Sequence, residues 1–173
     1  MNVRDSWSTP DHVFQILDHE FGFDIDVCAS KYNAKCKRYI TEQDDALSQA
    51  WCATMSPFDY PETPVPIKNA TVYCNPPYSS VEPWIAKAIE QAVLNNVTTV
   101  ILTNYILDCK YYHQHLTHVS EIRLAMRRIQ FVPPDGVKPS SNSKPQMLTV
   151  ITPESVKSHS APQITLWDNT VNY

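Results

Sequence analysis

The sequence predicts an α/β protein whose mixed sheet is mostly parallel and is closed by late antiparallel strands. Three observations predict it. Short apolar runs of strand length alternate with stretches of helical spacing. The connections between them are short, as neighbouring elements of one sheet require. And the run Ala70–Cys74 passes through Asn75-Pro76-Pro77-Tyr78 into a helical pattern from about Val81 to Asn95, the kind of strand-to-helix edge where open α/β sheets bind ligands. At 173 residues the chain is long enough for one domain with a substantial core, read as a single unit over 1–173.

In chain order, Trp7-Ser8-Thr9-Pro10 opens a helix in which Ser8 or Thr9 caps, Pro10 suits the first turn, Val13, Phe14, Ile16, Leu17 and Phe21 form the apolar stripe, and Gly22 ends it. Phe23–Ala29 alternates and then runs apolar, which predicts the first strand, with Asp26 near its end. Asp26 is there either an acid for a cationic or hydroxyl-bearing ligand or a solvated edge residue. Ser30–Arg38 is polar and basic and reads as a loop. Thr41–Leu47 places a cap residue before acids. It reads as a helix start, or as a site where one carboxylate takes the exocyclic amine of a cofactor adenine while Leu47 packs on the ring.

Residues 52–69 hold Pro57, Pro61, Pro64 and Pro66 without periodicity and form a long Pro-rich insertion loop. Ser79-Ser80 is a fair N-cap pair for the helix that follows the tetrapeptide. Thr98–Thr103 is a second buried strand, and 104–108 the next strand-to-helix edge. Lys110–His118 reads as a helix. Val119–Ala125 is a strand, Ile129–Phe131 a short extended piece, 132–146 a Pro/Ser-rich loop, and Met147–Ile151 and Gln163–Trp167 further strands.

Composition narrows the function. With 2 glycines against 14 prolines, a G-x-G-x-x-G fingerprint and a P-loop are excluded. The five cysteines are odd in number and lack C-x-x-C spacing, which predicts reduced thiols in a cytoplasmic protein. His113, His115 and His118 do not share a helix face, so no metal is expected. No apolar run approaches bilayer length. Net charge is −4, which makes no global case for nucleic acid. Two basic clusters, Lys31/Lys35/Lys37/Arg38 and Arg123/Arg127/Arg128, nevertheless offer local phosphate contacts. The DNA-binding candidates are Lys35, Lys37, Arg38, Arg127, Arg128 and Lys144.

The chemistry lies in the tetrapeptide. Two prolines in a row set φ twice and remove two donors, and Asn75, preceding a proline, is pushed to extended geometry. The Asn75 carboxamide oxygen and the Pro76 carbonyl then form a rigid acceptor pair, with Pro77 stiffening the bend and Tyr78 adding an aromatic face. Such a set suits the amino group of a planar base. Holding both hydrogens of adenine N6 frees a lone pair that conjugation otherwise occupies, so that it can attack a methyl donor in line. A cysteine-nucleophile route is not expected, since Cys74 lies on the strand side of the bend.

Taken together, Trp7-Ser-Thr-Pro10, Phe23–Ser30 with Asn33-Ala-Lys-Cys36, Asp44-Asp-Ala-Leu47 with Trp51, Tyr73-Cys-Asn-Pro-Pro-Tyr78, Trp84 and Arg128-Ile-Gln-Phe131 resemble the small, phage-type Dam-like DNA N6-adenine methyltransferases. The resemblance runs from about Trp7 to Ile151. It implies a Rossmann-like fold that uses S-adenosylmethionine to methylate a flipped adenine in double-stranded DNA, with Asn75, Pro76 and Tyr78 binding and activating the base. It further implies a cofactor set: Thr9 and Pro10 by the methionine end with Trp7, the stretch Asp26, Cys28, Ala29 and Ser30 in place of a glycine-containing loop, Asp45 with Ala46 and Leu47 at the cofactor adenine, and Asn75. Glu42 is the candidate for the ribose. The chain has no room for a large target-recognition domain, so a short recognition sequence follows, with base-edge contacts sought in the 52–69 and 131–146 loops. Two other readings stand beside this one: transfer to an RNA or protein amide nitrogen, and a binding module on the same fold that has lost turnover.

Overall fold

A computed structural model describes residues 7–52, 67–138 and 142–170. The Pro-rich stretch 53–66 and residues 139–141 of the second loop lie outside the described residues. The elements are α1 (Asp11–Phe21), β1 (Ile25–Ala29), β2 (Arg38–Thr41), β3 (Thr71–Cys74), α2 (Glu82–Asn95), β4 (Thr98–Asn104), α3 (Lys110–His113), β5 (Glu121–Ala125), β6 (Gln146–Ile151), α4 (Pro153–Ser158) and β7 (Gln163–Trp167). The strands form a single seven-stranded sheet in the order β2-β1-β3-β4-β6-β5-β7. Pairing is parallel across β2-β1-β3-β4 and antiparallel on both sides of β6, and parallel again between β5 and β7. One strand, β6, therefore runs against the rest, so the expected mixed sheet is found. The chain leaves β1 for β2 on one side and returns to β3 on the other, which makes the crevice between β1 and β3 the switch point of the sheet.

Helices cover both faces, as a mostly parallel sheet requires. On one face α1 lays Val13, Phe14 and Leu17 against Tyr73, Val100, Leu102 and Leu148. On the other, Ile85, Ala88 and Ala92 of α2 join Val72, Cys74, Ile101 and Met147. Every residue of β6 is buried, which is why its apolar run does not alternate.

Several local expectations are corrected. The N-cap of α1 is Pro10, and no side chain caps the helix. Ser8 instead exchanges two backbone hydrogen bonds of 2.8 Å with Val132, which replaces the extended piece expected at 129–131 by one antiparallel bridge. Ser79 and Ser80 do not cap α2. Its N-cap is Val81, because the proline bend first closes a turn in which Ser80 N donates to Pro77 O at 3.0 Å. Gly22 ends α1 as expected, at φ 63.

Thr41–Leu47 is not a helix. Thr41 ends β2, and Asp44 folds back to accept from both its N and its Oγ1, while Asp45 takes φ 51. The expected helix 110–118 breaks after His113, with a short 3-10 turn at Leu116–His118. Two elements were not anticipated. α4 is closed by a reciprocal cap between Thr152 and Ser155. β2 is reached across residues 30–37, fewer than the dozen or so residues that a parallel crossover ordinarily takes.

Candidate active site

The short crossover works because Asp26 holds it. Asp26 is buried, and its carboxylate accepts from Cys28 N through Oδ1 and from Lys35 N through Oδ2, both at 3.1 Å. The side chain thus pins both ends of the stretch that returns from β1 to β2. Burial pushes its pKa up to about 6, against the lowering effect of those two amides. Asp26 is thus not the solvated edge residue, and both its carboxylate oxygens are engaged by backbone amides. It shapes Cys28, Ala29 and Ser30, the strand exit where the glycine-containing loop was expected to be replaced. Ser30 N and Oγ both donate to Asn33 Oδ1, at 2.6 and 2.9 Å, which closes that exit without glycine.

The next exit along the sheet follows β3, paired to β1 with Asp26 level with Tyr73. Two residues on stands Asn75. Its Nδ2 donates to Thr9 Oγ1 at 3.3 Å, and Thr9 Oγ1 meets the Tyr73 hydroxyl at 2.7 Å. Thr9 and Tyr73 are buried, and burial raises the Tyr73 hydroxyl well above its usual pKa, so it stays protonated. Tyr73 is wedged edge-on against Phe14 at 5.1 Å and lies tilted against Phe23 at 5.3 Å. The carboxamide nitrogen is therefore spoken for from inside the fold. Asn75 Oδ1 and the Pro76 carbonyl have no hydrogen-bond partner among the described residues. Pro76 is buried and Pro77 half-buried, and the bend continues into the Pro77–Ser80 turn.

Tyr78 follows. Its ring lies edge-on to Phe131 at 5.9 Å with the planes 80° apart. Its hydroxyl is enclosed without a hydrogen-bond partner among the described residues, and burial raises its pKa. Phe131 is held in place by the Ser8–Val132 bridge next to it. The bridged segments Ser8–Thr9 and Phe131–Val132 thus meet the tetrapeptide together, Thr9 at Asn75 and Phe131 at Tyr78.

The profile of the DNA N-6-adenine-methyltransferase (Dam) family matches residues 1–170. The chain belongs to that family. It is 31% identical to the DNA N-6-adenine-methyltransferase of Haemophilus phage HP1 (strain HP1c1) over 88% of this chain and 81% of that protein. It is 34% identical to the DNA N-6-adenine-methyltransferase of Escherichia phage T1 over 58% of this chain and 36% of that protein. Family membership makes the chain an adenine-specific DNA methyltransferase, as the tetrapeptide and its companions led one to expect, and the expected α/β methyltransferase fold is the one observed. No helix among the described residues is long and apolar enough to cross a membrane.

The remaining sequence candidates of this Dam-family chain fall in different places. Trp7 is half-buried beside Ser8. Asp45 is exposed, with Oδ1 taking only Leu47 N at 3.2 Å, next to a half-buried Leu47. Ala46 is buried because its carbonyl accepts from the indole of Trp51, itself fully buried and tied by its backbone N to Gln91 Oε1 of α2. Asp45 thus presents a carboxylate beside an apolar side chain, its Oδ2 unengaged among the described residues. Glu42 is exposed in the same turn.

The basic candidates divide between two rims. Arg127 and Arg128 are exposed just past the end of β5, and Lys144 just before the reversed β6, so all three stand on the rim of Asn75. Lys37 and Arg38 stand at the start of β2, where Arg38 is level with Ile25, on the opposite rim. Lys35 is ion-paired to Asp11 at 2.5 Å. Arg123, from the second basic cluster, is clamped by Glu20 and Glu121 at 2.6 and 2.8 Å.

Sequence reading missed Tyr73 and Phe131 as site residues, although both stood in the quoted landmarks. The period-two alternation of β3 was the available signal for Tyr73, since it places that ring on the face opposite Cys74.

Proposed function

We propose that this chain transfers the methyl group of S-adenosylmethionine to N6 of an adenine rotated out of duplex DNA, and that Asn75, Pro76 and Tyr78 do the chemistry within one α/β domain. The observation that carries the reading is the Tyr73–Thr9–Asn75 chain, which engages the carboxamide nitrogen, while the carboxamide oxygen and the Pro76 carbonyl have no partner among the described residues.

Bound in the crevice between β1 and β3, the cofactor supplies an electrophilic methyl on a sulfonium. Asp45 and Leu47 receive its adenine, Ser30 and the short exit of β1 line its middle, and Thr9, Pro10 and Trp7 flank its methionine end. Asn75 Oδ1 and Pro76 O each accept one N6 hydrogen. That directs the nitrogen lone pair away from the ring and toward the methyl group, with groups already oriented before substrate arrives. Both acceptors are neutral and do not remove a proton beforehand; N6 loses a proton to solvent water once methylation has made it cationic. Tyr78 and Phe131, at right angles, give the purine one face and one edge. Rotating the base out costs a few kcal/mol, recovered in this pocket. Arg127 and Arg128 contact the DNA backbone.

The test is transfer of labelled methyl to duplex DNA, with the product resolved by mass spectrometry of the nucleosides. N6-methyladenine is expected. Label found only on RNA or protein overturns the substrate assignment, and no uptake of S-adenosylmethionine in equilibrium dialysis overturns the enzyme reading in favour of a binding module.

A further inference from the structure

Tyr78 also walls a second space. A cleft of about 570 Å³ has Tyr78, but not Phe131, in its wall, and is lined among others by Asn104, Tyr105, Asp108, Tyr111 and Lys144. Its size falls in the ordinary range for small-ligand sites, roughly 300–1,000 Å³. No residue of the acceptor pair, Asn75 or Pro76, lines it. It is therefore a neighbour of the methyl-transfer pocket, with one aromatic wall in common.

Its placement follows from strand lengths. Cys74, the last residue of β3, is level with Ile101, but β4 continues to Asn104. Tyr105 thus stands beyond the level of Cys74 by about 13 Å along the strand direction, at ~3.3 Å per residue. It is 44% exposed, yet its backbone is not loose: Tyr105 N donates to Pro145 O at 2.9 Å. The result is an exposed ring on a fixed stalk. Lys144 precedes that proline, and its ammonium has no carboxylate partner among the described residues. Asn104 Oδ1 accepts from Gln146 Nε2 at 3.3 Å, and its own amide hydrogens have no acceptor among the described residues. Asp108 adds a carboxylate to the same wall, engaged among the described residues only by Cys109 Sγ at 3.7 Å.

We infer that this cleft takes the base next to the target adenine on the same DNA strand, stacked on Tyr105, with Lys144 on the adjoining phosphate and Asn104 and Asp108 reading the base edge. This rests on the methyltransferase reading above. Rotating an adenine out of the helix strips its neighbour of one stacking partner, and an aromatic ring held at the rim replaces it without regard to base identity. Discrimination then comes from the polar wall. A carboxylate accepts from an exocyclic amine, so adenine or cytosine at the flanking position is favoured over thymine. An exposed ring, a cation without a carboxylate partner among the described residues and two carboxylates, Asp108 and Glu82, together match a nucleotide better than a bare phosphate, which the carboxylates would repel.

The experiment pairs substrate and protein changes. Duplexes carry an abasic site on either side of the target adenine, or opposite it, and kcat/KM is measured with the wild-type chain and with Tyr105→Ala. The expected result is a loss of about ten-fold in the wild type at one same-strand flanking position, and little further loss when Tyr105 is already alanine. Equal losses in both proteins at every flanking position overturn the inference. So does coupling seen only opposite the target, which would assign the cleft to the orphaned base. Because Tyr105 is exposed, its variant is expected to keep the wild-type melting temperature and cofactor affinity. As a second variant, Lys144→Ala is expected to reduce the salt slope of DNA binding by about one, and an unchanged slope removes the phosphate contact. A wild-type chain that methylates nothing overturns the underlying reading, whereas a wild type that methylates normally with Tyr105→Ala indistinguishable from it overturns this inference alone.

Discussion

The two rims of the sheet use the same residue types to different ends. On the rim where β1 and β3 begin, polar side chains are consumed by the backbone or by one another. Asp24 Oδ2 accepts from Thr71 N while Asp24 N donates to Thr71 O, and Asp18 Oδ1 accepts from Phe23 N. Asn69 and Asn96 sit in left-handed turns, at φ 57 and 55, and bond each other. On the rim where these strands end, Asn75 and Asn104 keep unused hydrogen-bonding groups, and the Pro76 carbonyl is unpartnered among the described residues. The difference teaches that an asparagine or aspartate at a strand end is informative only when its partners are known. Backbone amides that enter a sheet must be satisfied somewhere, and short polar side chains are the nearest acceptors. Prolines at the exit of β3 remove that demand, since they carry no N–H, and leave Asn75 free to serve a ligand.

The comparison breaks or sharpens under substitution. The largest effect is expected at Asn75. Asn75→Ala lowers the single-turnover methylation rate by about 10³-fold, the scale for losing one preorganised polar group, while melting stays near wild type because only a 3.3 Å bond to Thr9 is lost. Retained activity would place the chemistry elsewhere.

Asp26 comes next, through pH. Its pKa is about 6 in the fold against 3.8 unfolded. Between those values the folded state holds the extra proton, so stability falls as pH rises through that window. The fall is up to about 3 kcal/mol at ~1.4 kcal/mol per unit. Denaturant melts from pH 4 to 7 should show the slope, and Asp26→Asn should flatten it.

Thr9→Ala is smaller. It leaves the buried Tyr73 hydroxyl without its partner, which costs about 1–3 kcal/mol, and it releases the Asn75 carboxamide. Thr9→Ser should restore both stability and rate, and a serine that rescues stability alone would deny Thr9 its positioning role. Arg127→Ala combined with Arg128→Ala should weaken DNA binding about ten-fold and lower the salt slope by about two, measured by fluorescence anisotropy across salt concentrations. At the opposite rim, Lys37→Ala is expected to leave DNA affinity unchanged; a loss there equal to that of the arginine pair would erase the distinction between rims.

The tetrapeptide was legible because its geometry is local. Proline restricts its own φ and its predecessor's conformation, and apolar runs on either side announced a strand and a helix. Gly22 was legible for the same reason. The two errors at the caps have a common cause. Ser8, Thr9, Ser79 and Ser80 have the composition of N-caps, but Thr9 was drawn to a tyrosine 64 residues away, and the serines fell within a turn already set by Pro77. β2 was missed because its connection is too short to look like a crossover, and the two backbone bonds to Asp26, with the Ser30–Asn33 turn, hold that path. The basic clusters were read together because charge runs carry no information about which end of a strand they flank.

By itself the sequence determined the alternation of elements, the stiff acceptor bend after β3 and the absence of a glycine loop, all of which depend on backbone restrictions within a few residues. Tertiary structure alone decided which of its polar groups remain free. That outcome depends on long-range partners: Tyr73 and Thr9 turning one amide, Asp26 absorbed by a crossover, and the sheet sending Arg127 and Arg38 to opposite rims. Hydrogen-bond satisfaction is settled over the whole fold, and no window of sequence contains it.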